Sequence, residues 1–290
     1  MRPSYITPGR LKSFLEFAFN EDVGDGDHSS LAAIPKDATS RASLLMKDDG
    51  VIAGIEAAHE IVAFYDSGLR MEVYTADGQE VKYGDILFSI EGSARSLLTV
   101  ERILLNCMQR MSGIATKTRH LSALIAHTNA KLLDTRKTTP NFRLMEKWAV
   151  HIGGGENHRY GLYDMIMLKD NHIDYAGGIK QAIQATRSYL AETGRDLKVE
   201  IETRNLDEVR EVLQTGSVDR IMLDNMSLED MRTAVEIIGE AAETEASGGI
   251  TEETIAAVAE TGVDYISVGA LTHSIKSLDM SLKASESLEK

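Results

Sequence analysis

Residues 198–225 read KVEIET-RN-LDEVREVLQ-TGSVD-RIMLDN. An apolar-rich run comes first and ends in polar residues. Leu206, Val209, Val212 and Leu213 then recur at three- and four-residue steps, and a second apolar run closes on Asp224. That order is strand, helix, strand, and a helical crossover of this length joins parallel strands. The unit recurs on both sides. Strand-like runs stand at KLLDTRK (131–137), MIMLKDN (165–171), EASGG (245–249) and YISVGAL (265–271). Helical patterns fill residues 179–192, 228–241 and 251–260. Buried parallel strands read as near-continuous apolar runs, as these do. No GxGxxG opens any unit, so the repetition predicts a (β/α) barrel rather than a doubly wound dinucleotide fold.

Working groups of such barrels sit at the C-terminal ends of the strands. Those ends here carry Arg136, Lys137, Lys169, Glu200, Glu202 and Asp224. Upstream, the pattern differs. Residues 93–127 hold a long helical period, which Gly113 is expected to break into two helices. On that stretch Arg102, Asn106 and Arg110 share a polar face. The first hundred residues read as mixed α/β, with helices at 9–19 and 57–65 and strands at 41–47, 71–75 and 86–90. DGDHS (25–29) resembles the start of a calcium loop, but Ser30 and Lys36 stand where such a loop needs Gly and Glu. Residues 21–30 are therefore read as a structured turn.

Composition narrows the class. The chain has 290 residues, 43% hydrophobic and 26% charged, as a globular protein does. No apolar run approaches the length of a membrane span, and the N-terminus lacks the apolar stretch of a signal peptide. One cysteine, Cys107, precludes an internal disulfide and fits a reducing compartment, so a cytoplasmic location is expected. The formal net charge of −14 disfavours nucleic acid as a partner. Its distribution says more. Residues 101–172 hold 11 Lys/Arg against 6 Asp/Glu, and the rest of the chain holds 20 against 39. A basic island in an acidic protein marks where an anion binds.

Three groups within the barrel units point to that anion. Asp134-Thr135-Arg136-Lys137 places adjacent cations at a strand end, and Gly153-Gly154-Gly155 leads into His158-Arg159. Arginine matches carboxylates and phosphates bidentately, whereas lysine supplies a point charge. His151, His158 and His172 lack the spacing of a zinc set. Glu200 and Asp224, with Glu202 an alternative on the same face of its strand, converge on these cations and suit a magnesium ion bridging to phosphate oxygens. Ser247-Gly248-Gly249 and Gly269-Ala270 end the last two strands, the usual place of a barrel phosphate site, with Thr272, His273 and Ser274 close in sequence.

Taken together, EDVGDGD (21–27), ERILLNCMQRMSGIAT (101–116), DTRKTTP (134–140), GGGENHRYGL (153–162), MLKDNH (167–172), VEIET (199–203), IMLDN (221–225) and the segments from ASGGI to ALTHS (246–274) resemble the quinolinate phosphoribosyltransferases. The resemblance runs in order over essentially the whole chain. It implies decarboxylating transfer of a phosphoribosyl group from phosphoribosyl pyrophosphate to quinolinate, giving nicotinate mononucleotide for NAD synthesis. It also implies an α/β sandwich domain over residues 1–112, joined by the tail 275–290, and an incomplete α/β barrel over 113–274. The subunits are expected to pair as a homodimer, with hexamers left open, and Arg102 to reach into the partner's site. Arg136, His158, Arg159 and Lys169 would surround the dicarboxylate, Thr135 would also bind substrate, and Lys137 and Lys169 would face pyrophosphate. Glu200 and Asp224 would serve ribose and magnesium, while Ser247, Gly248, Gly249, Gly269, Ala270 and His273 would hold the 5′-phosphate. No organic cofactor is expected. A related transferase acting on nicotinate, and a non-catalytic anion sensor, are the competing readings.

Overall fold

The computed structural model describes residues 2–284, so residues 285–290 of the expected tail lie outside the described residues. In chain order the first elements are α1 (Pro8–Asp22), α2 (His28–Ala33), β1 (Thr39–Met46), β2 (Gly50–Val51), α3 (Ile55–Tyr65), β3 (Arg70–Val73), β4 (Glu80–Val81), β5 (Ile86–Ser93) and α4 (Ala94–Leu124). Next come β6 (Lys131–Leu133), α5 (Arg143–Ile152), β7 (Ile166–Leu168), α6 (Asp170–Ala176), α7 (Ile179–Thr193), β8 (Val199–Thr203) and α8 (Leu206–Thr215). The chain continues through β9 (Arg220–Asp224), α9 (Leu228–Ile238), β10 (Glu243–Ser247), α10 (Ile255–Ala259), β11 (Tyr265–Ser267), α11 (Ala270–His273) and β12 (Met280–Ala284). Two compact units result. One comprises Met1–Arg119, Thr138–Gly154 and Ala270–Lys290, and the other His120–Lys137 and Gly155–Gly269.

The first unit is built on an antiparallel sheet in the order β12-β1-β5-β3. Along β1, Ala42, Leu44 and Met46 turn inward at the period of two that a half-buried strand requires. β12, drawn from the tail, pairs with β1 from Met46↔Met280 to Ala42↔Ala284. The expected turn at 21–30 contains a capped helix start. Asp27 accepts the Ser30 N–H at 3.0 Å and opens α2.

The expected break at Gly113 is absent, because α4 runs unbroken for 31 residues. Glycine serves packing there: a Cβ at 113 would overlap the carbonyl oxygen of Lys276. Gly113→Ala should therefore lower stability by about 1–3 kcal/mol through overpacking, although alanine is the better helix former. A urea midpoint that rises in this variant would contradict that reading.

The second unit holds a six-stranded parallel sheet in the order β6-β11-β10-β9-β8-β7. β6 and β7 are its edges, and Glu156 adds a single parallel bridge to Leu133 beyond β6. This is the incomplete barrel the repeating units predicted. Several strands are shorter than their sequence runs. The residues after Leu133, Leu168 and Ser267 leave the ladder to form loops and the starts of α6 and α11. Helix starts follow local chemistry. Asn205 caps α8 by accepting the N–H groups of Asp207 and Glu208, and Ser227 caps α9 by accepting that of Asp230. Gly239, at φ 51°, ends α9 three residues earlier than expected.

Candidate active site

The C-terminal ends of the parallel strands carry most of the candidate residues discussed above. Thr135, Arg136 and Lys137 follow β6. The Lys137 N–H donates to Thr135 Oγ1 at 3.0 Å, which turns the chain sharply there. Asp134, fully buried, accepts the His158 N–H at 2.9 Å and the Asn157 side-chain amide at 2.6 Å. That carboxylate fastens the glycine-rich loop to the end of β6, and so holds Arg159 near Arg136. Burial lowers the Arg159 pKa, and the charge of Arg136 lowers it further. The two guanidinium groups concentrate positive charge at this end of the sheet.

Lys169 follows β7, and its ammonium pairs with Glu202 at 2.6 Å. His172 Nδ1 accepts the Lys169 N–H at 2.9 Å and fixes the residue at the start of α6. Asp224 ends β9 and is half-buried, with the Asn225 amide donating to its carboxylate at 2.7 Å. Ser247 ends β10, Gly248 and Gly249 follow it at φ 95° and 60°, and Gly269 lies two residues past β11. Glu200 stands apart from this rim, as described below.

Arg102, Ala270 and His273 belong to the other unit. Arg102 is exposed on α4. Arg110, on the same polar face, instead turns to the buried Glu146 at 2.7 Å and to the Thr272 carbonyl at 2.7 Å. His273 is exposed, with Nδ1 2.7 Å from Ser274 Oγ.

Residues 27–112 match the N-terminal domain of quinolinate phosphoribosyl transferases, and residues 114–283 match their C-terminal domain. The chain belongs to the quinolinate phosphoribosyltransferase family. It is 47% identical over 288 residues to the mitochondrial quinolinate phosphoribosyltransferase (decarboxylating) 2 of Nicotiana glauca, covering 94% of this chain and 82% of that one. Identity to the probable nicotinate-nucleotide pyrophosphorylase (carboxylating) of Bacillus subtilis is 40% over 280 residues, covering 97% and 95%. Among solved structures, NadC from Streptococcus pyogenes superposes with a TM-score of 0.89 at 41% identity, covering 96% of this chain and 97% of that one.

In this quinolinate phosphoribosyltransferase family member the two glutamates of β8 have different surroundings. Glu200 is fully buried, and its carboxylate lies 2.9 Å from His158 Nε2, with Glu245 3.4 Å from the same nitrogen. Glu245 in turn binds Arg220 at 2.8 Å. Burial pushes the Glu200 carboxyl above its ordinary range, and the hydrogen bond from His158 offsets this only in part. Burial also opposes ionisation of Glu245, but His158 and Arg220 outweigh it and hold that carboxyl low. For His158, burial disfavours charge, yet Glu200 and Glu245 push the ring up to about 9. A second ring proton would have to sit on Nδ1, where the Arg159 N–H already donates at 2.6 Å. Nδ1 thus holds the backbone of Arg159 while Nε2 faces the two carboxylates.

His158, Glu200 and Glu245 bring one ligand atom each within 4.8 Å of one another. Within the barrel these three side chains form a buried ionic cluster. Of the expected magnesium pair, Glu200 lies in this cluster and Asp224 ends β9 at the rim. Glu202, paired with Lys169, offers hard oxygen close to the strand ends.

Sequence reasoning assigned no role to Asp134, His172, Arg220 or Glu245. A signal existed for Glu245, since it lies two residues before Ser247 on β10 and strand alternation puts both on one face. No sequence signal marks Asp134 as an anchor, because its partners lie 23 and 24 residues away.

Proposed function

We propose that this family member catalyses decarboxylating transfer of a phosphoribosyl group from phosphoribosyl pyrophosphate to quinolinate. The observation that carries the proposal is the rim itself. Arg136, Arg159, Lys137 and Lys169 stand at the ends of parallel strands whose neighbours offer Asp224, Glu202 and a glycine turn. A dicarboxylate, a pyrophosphate and a sugar phosphate need these three kinds of partner.

In this reading Arg136 and Arg159 bind the two carboxylates, with Thr135 beside them. His158 acts through Arg159, whose backbone it holds, because its ring is turned to Glu200 and Glu245. Lys137 and Lys169 face the pyrophosphate, and Asp224 and Glu202 take the ribose side. Ser247, Gly248, Gly249 and Gly269 receive the 5′-phosphate, with Ala270 and His273 following in sequence. Arg102 comes from the partner of a homodimer, which its exposure on α4 permits. Dimers of this kind can stack into hexamers. Magnesium, if bound, would be held by Asp224 and Glu202 and would neutralise charge on the pyrophosphate.

The quinolinate nitrogen attacks C1 of the ribose, and the C1–O bond breaks with its electron pair leaving on pyrophosphate. Positive charge develops at C1, facing the carboxylates, while negative charge develops near the two lysines. Fixed charges placed where charge develops lower the barrel site's barrier without reorganisation. When carbon dioxide departs, its bonding pair stays on C2 as a carbanion that the positive charge of the adjacent quaternised nitrogen stabilises, and C2 then takes up one proton with that pair. No covalent nucleophile or organic cofactor enters this sequence. The chain's one cysteine, Cys107, is a buried free thiol, which supports a cytoplasmic location, and no helix among the described residues is long and apolar enough to cross a membrane.

The test is direct. The purified protein, given phosphoribosyl pyrophosphate and Mg²⁺, should release carbon dioxide and nicotinate mononucleotide in equal amounts from quinolinate and should leave nicotinate unreacted. Turnover of nicotinate alone, or of neither acid, would reject the proposal.

A further inference from the structure

Among the described residues only Asn141, Ser217 and Asn225 are non-glycine residues at positive φ, and Asn225, at 52°, adjoins the rim. Asparagine accepts this conformation better than most residues, but it still costs energy, and such positions persist where the surroundings fix them. Two hydrogen bonds do so here. The Asn225 N–H donates to the Ser247 carbonyl at 2.9 Å, extending the β9–β10 pairing beyond Asp224↔Ser247. Its side-chain amide donates to the Asp224 carboxylate at 2.7 Å. The same carboxamide lies against Gly248, where a Cβ would overlap its Cγ and Oδ1. One side chain therefore touches the carboxylate at the end of β9 and the glycine turn at the end of β10.

We propose that Asn225 is a positioning residue for the phosphoribosyl substrate: its carboxamide sets the angle of Asp224 and fixes the Gly248–Gly249 turn, joining ribose and phosphate sites into one rigid rim. This rests on the function proposed above. Asn225 touches none of the cations assigned to the dicarboxylate, so its effect is confined to one substrate. Holding groups in a productive geometry is worth orders of magnitude in rate, and a single misoriented carboxylate forfeits part of that.

Asn225→Gly separates this role from folding, because glycine adopts φ 52° without strain and removes only the carboxamide. The variant should melt no lower than wild type, while its KM for phosphoribosyl pyrophosphate rises about tenfold and its KM for quinolinate stays within about twofold. Calorimetric affinity for phosphoribosyl pyrophosphate should fall in parallel. Asn225→Asp keeps the shape but sets a second carboxylate against Asp224, and should raise the same KM further. An unchanged KM for phosphoribosyl pyrophosphate in the glycine variant, or equal rises for both substrates, would overturn the proposal. Absence of turnover in the wild type would instead remove the functional reading and this proposal with it.

Discussion

Arg102→Ala and Lys137→Ala proteins, each purified alone, are expected to be nearly inactive, and dimers carrying one of each are expected to work. Lys137 follows β6 in the basic rim, where in the proposed reaction it faces the charge that builds on departing pyrophosphate. Removing one such group costs about 10²–10³-fold in turnover. Arg102 is exposed on α4, and in the proposed dimer it pairs with a carboxylate of quinolinate in its neighbour's site. Truncating one member of such a pair costs about 2–5 kcal/mol of binding. If Arg102 acts across a two-fold axis, a mixed dimer holds one site with both lesions and one with neither. Random reassortment makes half the dimers mixed, so about a quarter of wild-type activity should return. Should Arg102 act in its own subunit, every site in the mixed dimer would carry one lesion. Mixed dimers isolated through two different tags would then stay inactive, and the shared-site reading would be wrong.

Much of this rim is legible in the chain because its chemistry is local. Arg136 and Lys137, Lys169, Asp224 and the Gly248–Gly249 pair each close an apolar run, and strand order alone carries them to one end of the barrel. Depth is another matter. Glu200 and Glu202 lie two residues apart on one face of β8, and the sequence pattern cannot rank them. The structure separates them through residues distant in sequence, since His158 and Glu245 enclose the first and Lys169 meets the second. Gly113 misleads for a similar reason. Its propensity argues for a helix break, but the approach of Lys276, 163 residues later by their numbering, decides its role. Local rules place elements and turn residues, whereas partners brought by the tertiary fold set function within a face.

Arg220→Met should destabilise the protein by about 3–5 kcal/mol, the usual cost of leaving a buried charge without its partner. The guanidinium lies 2.8 Å from Glu245, 3.0 Å from Glu243 and 3.9 Å from the centre of the Tyr265 ring. Glu245 is fully buried, so its carboxylate cannot turn to water once Arg220 is gone. The dependence on pH gives the argument its sign. In the wild type Glu245 is held below its ordinary value of 4.5, so its contribution is present above that value and is lost as pH falls through the folded one. Without Arg220 only His158 opposes burial, so the carboxyl moves upward from its wild-type position and less of its contribution remains to be lost to acid. The gap between variant and wild type should therefore narrow on acidification from pH 7 to pH 4, as the wild type loses the contribution that the variant largely lacks. Pairing the change with Glu245→Met removes both charges and should recover much of the loss, because an apolar replacement of a buried pair is often close to neutral. Urea midpoints for the three proteins at the two pH values test the set. A gap that widens on acidification, or a double variant no better than the single one, would show that Arg220 does not stabilise the barrel interior through Glu245.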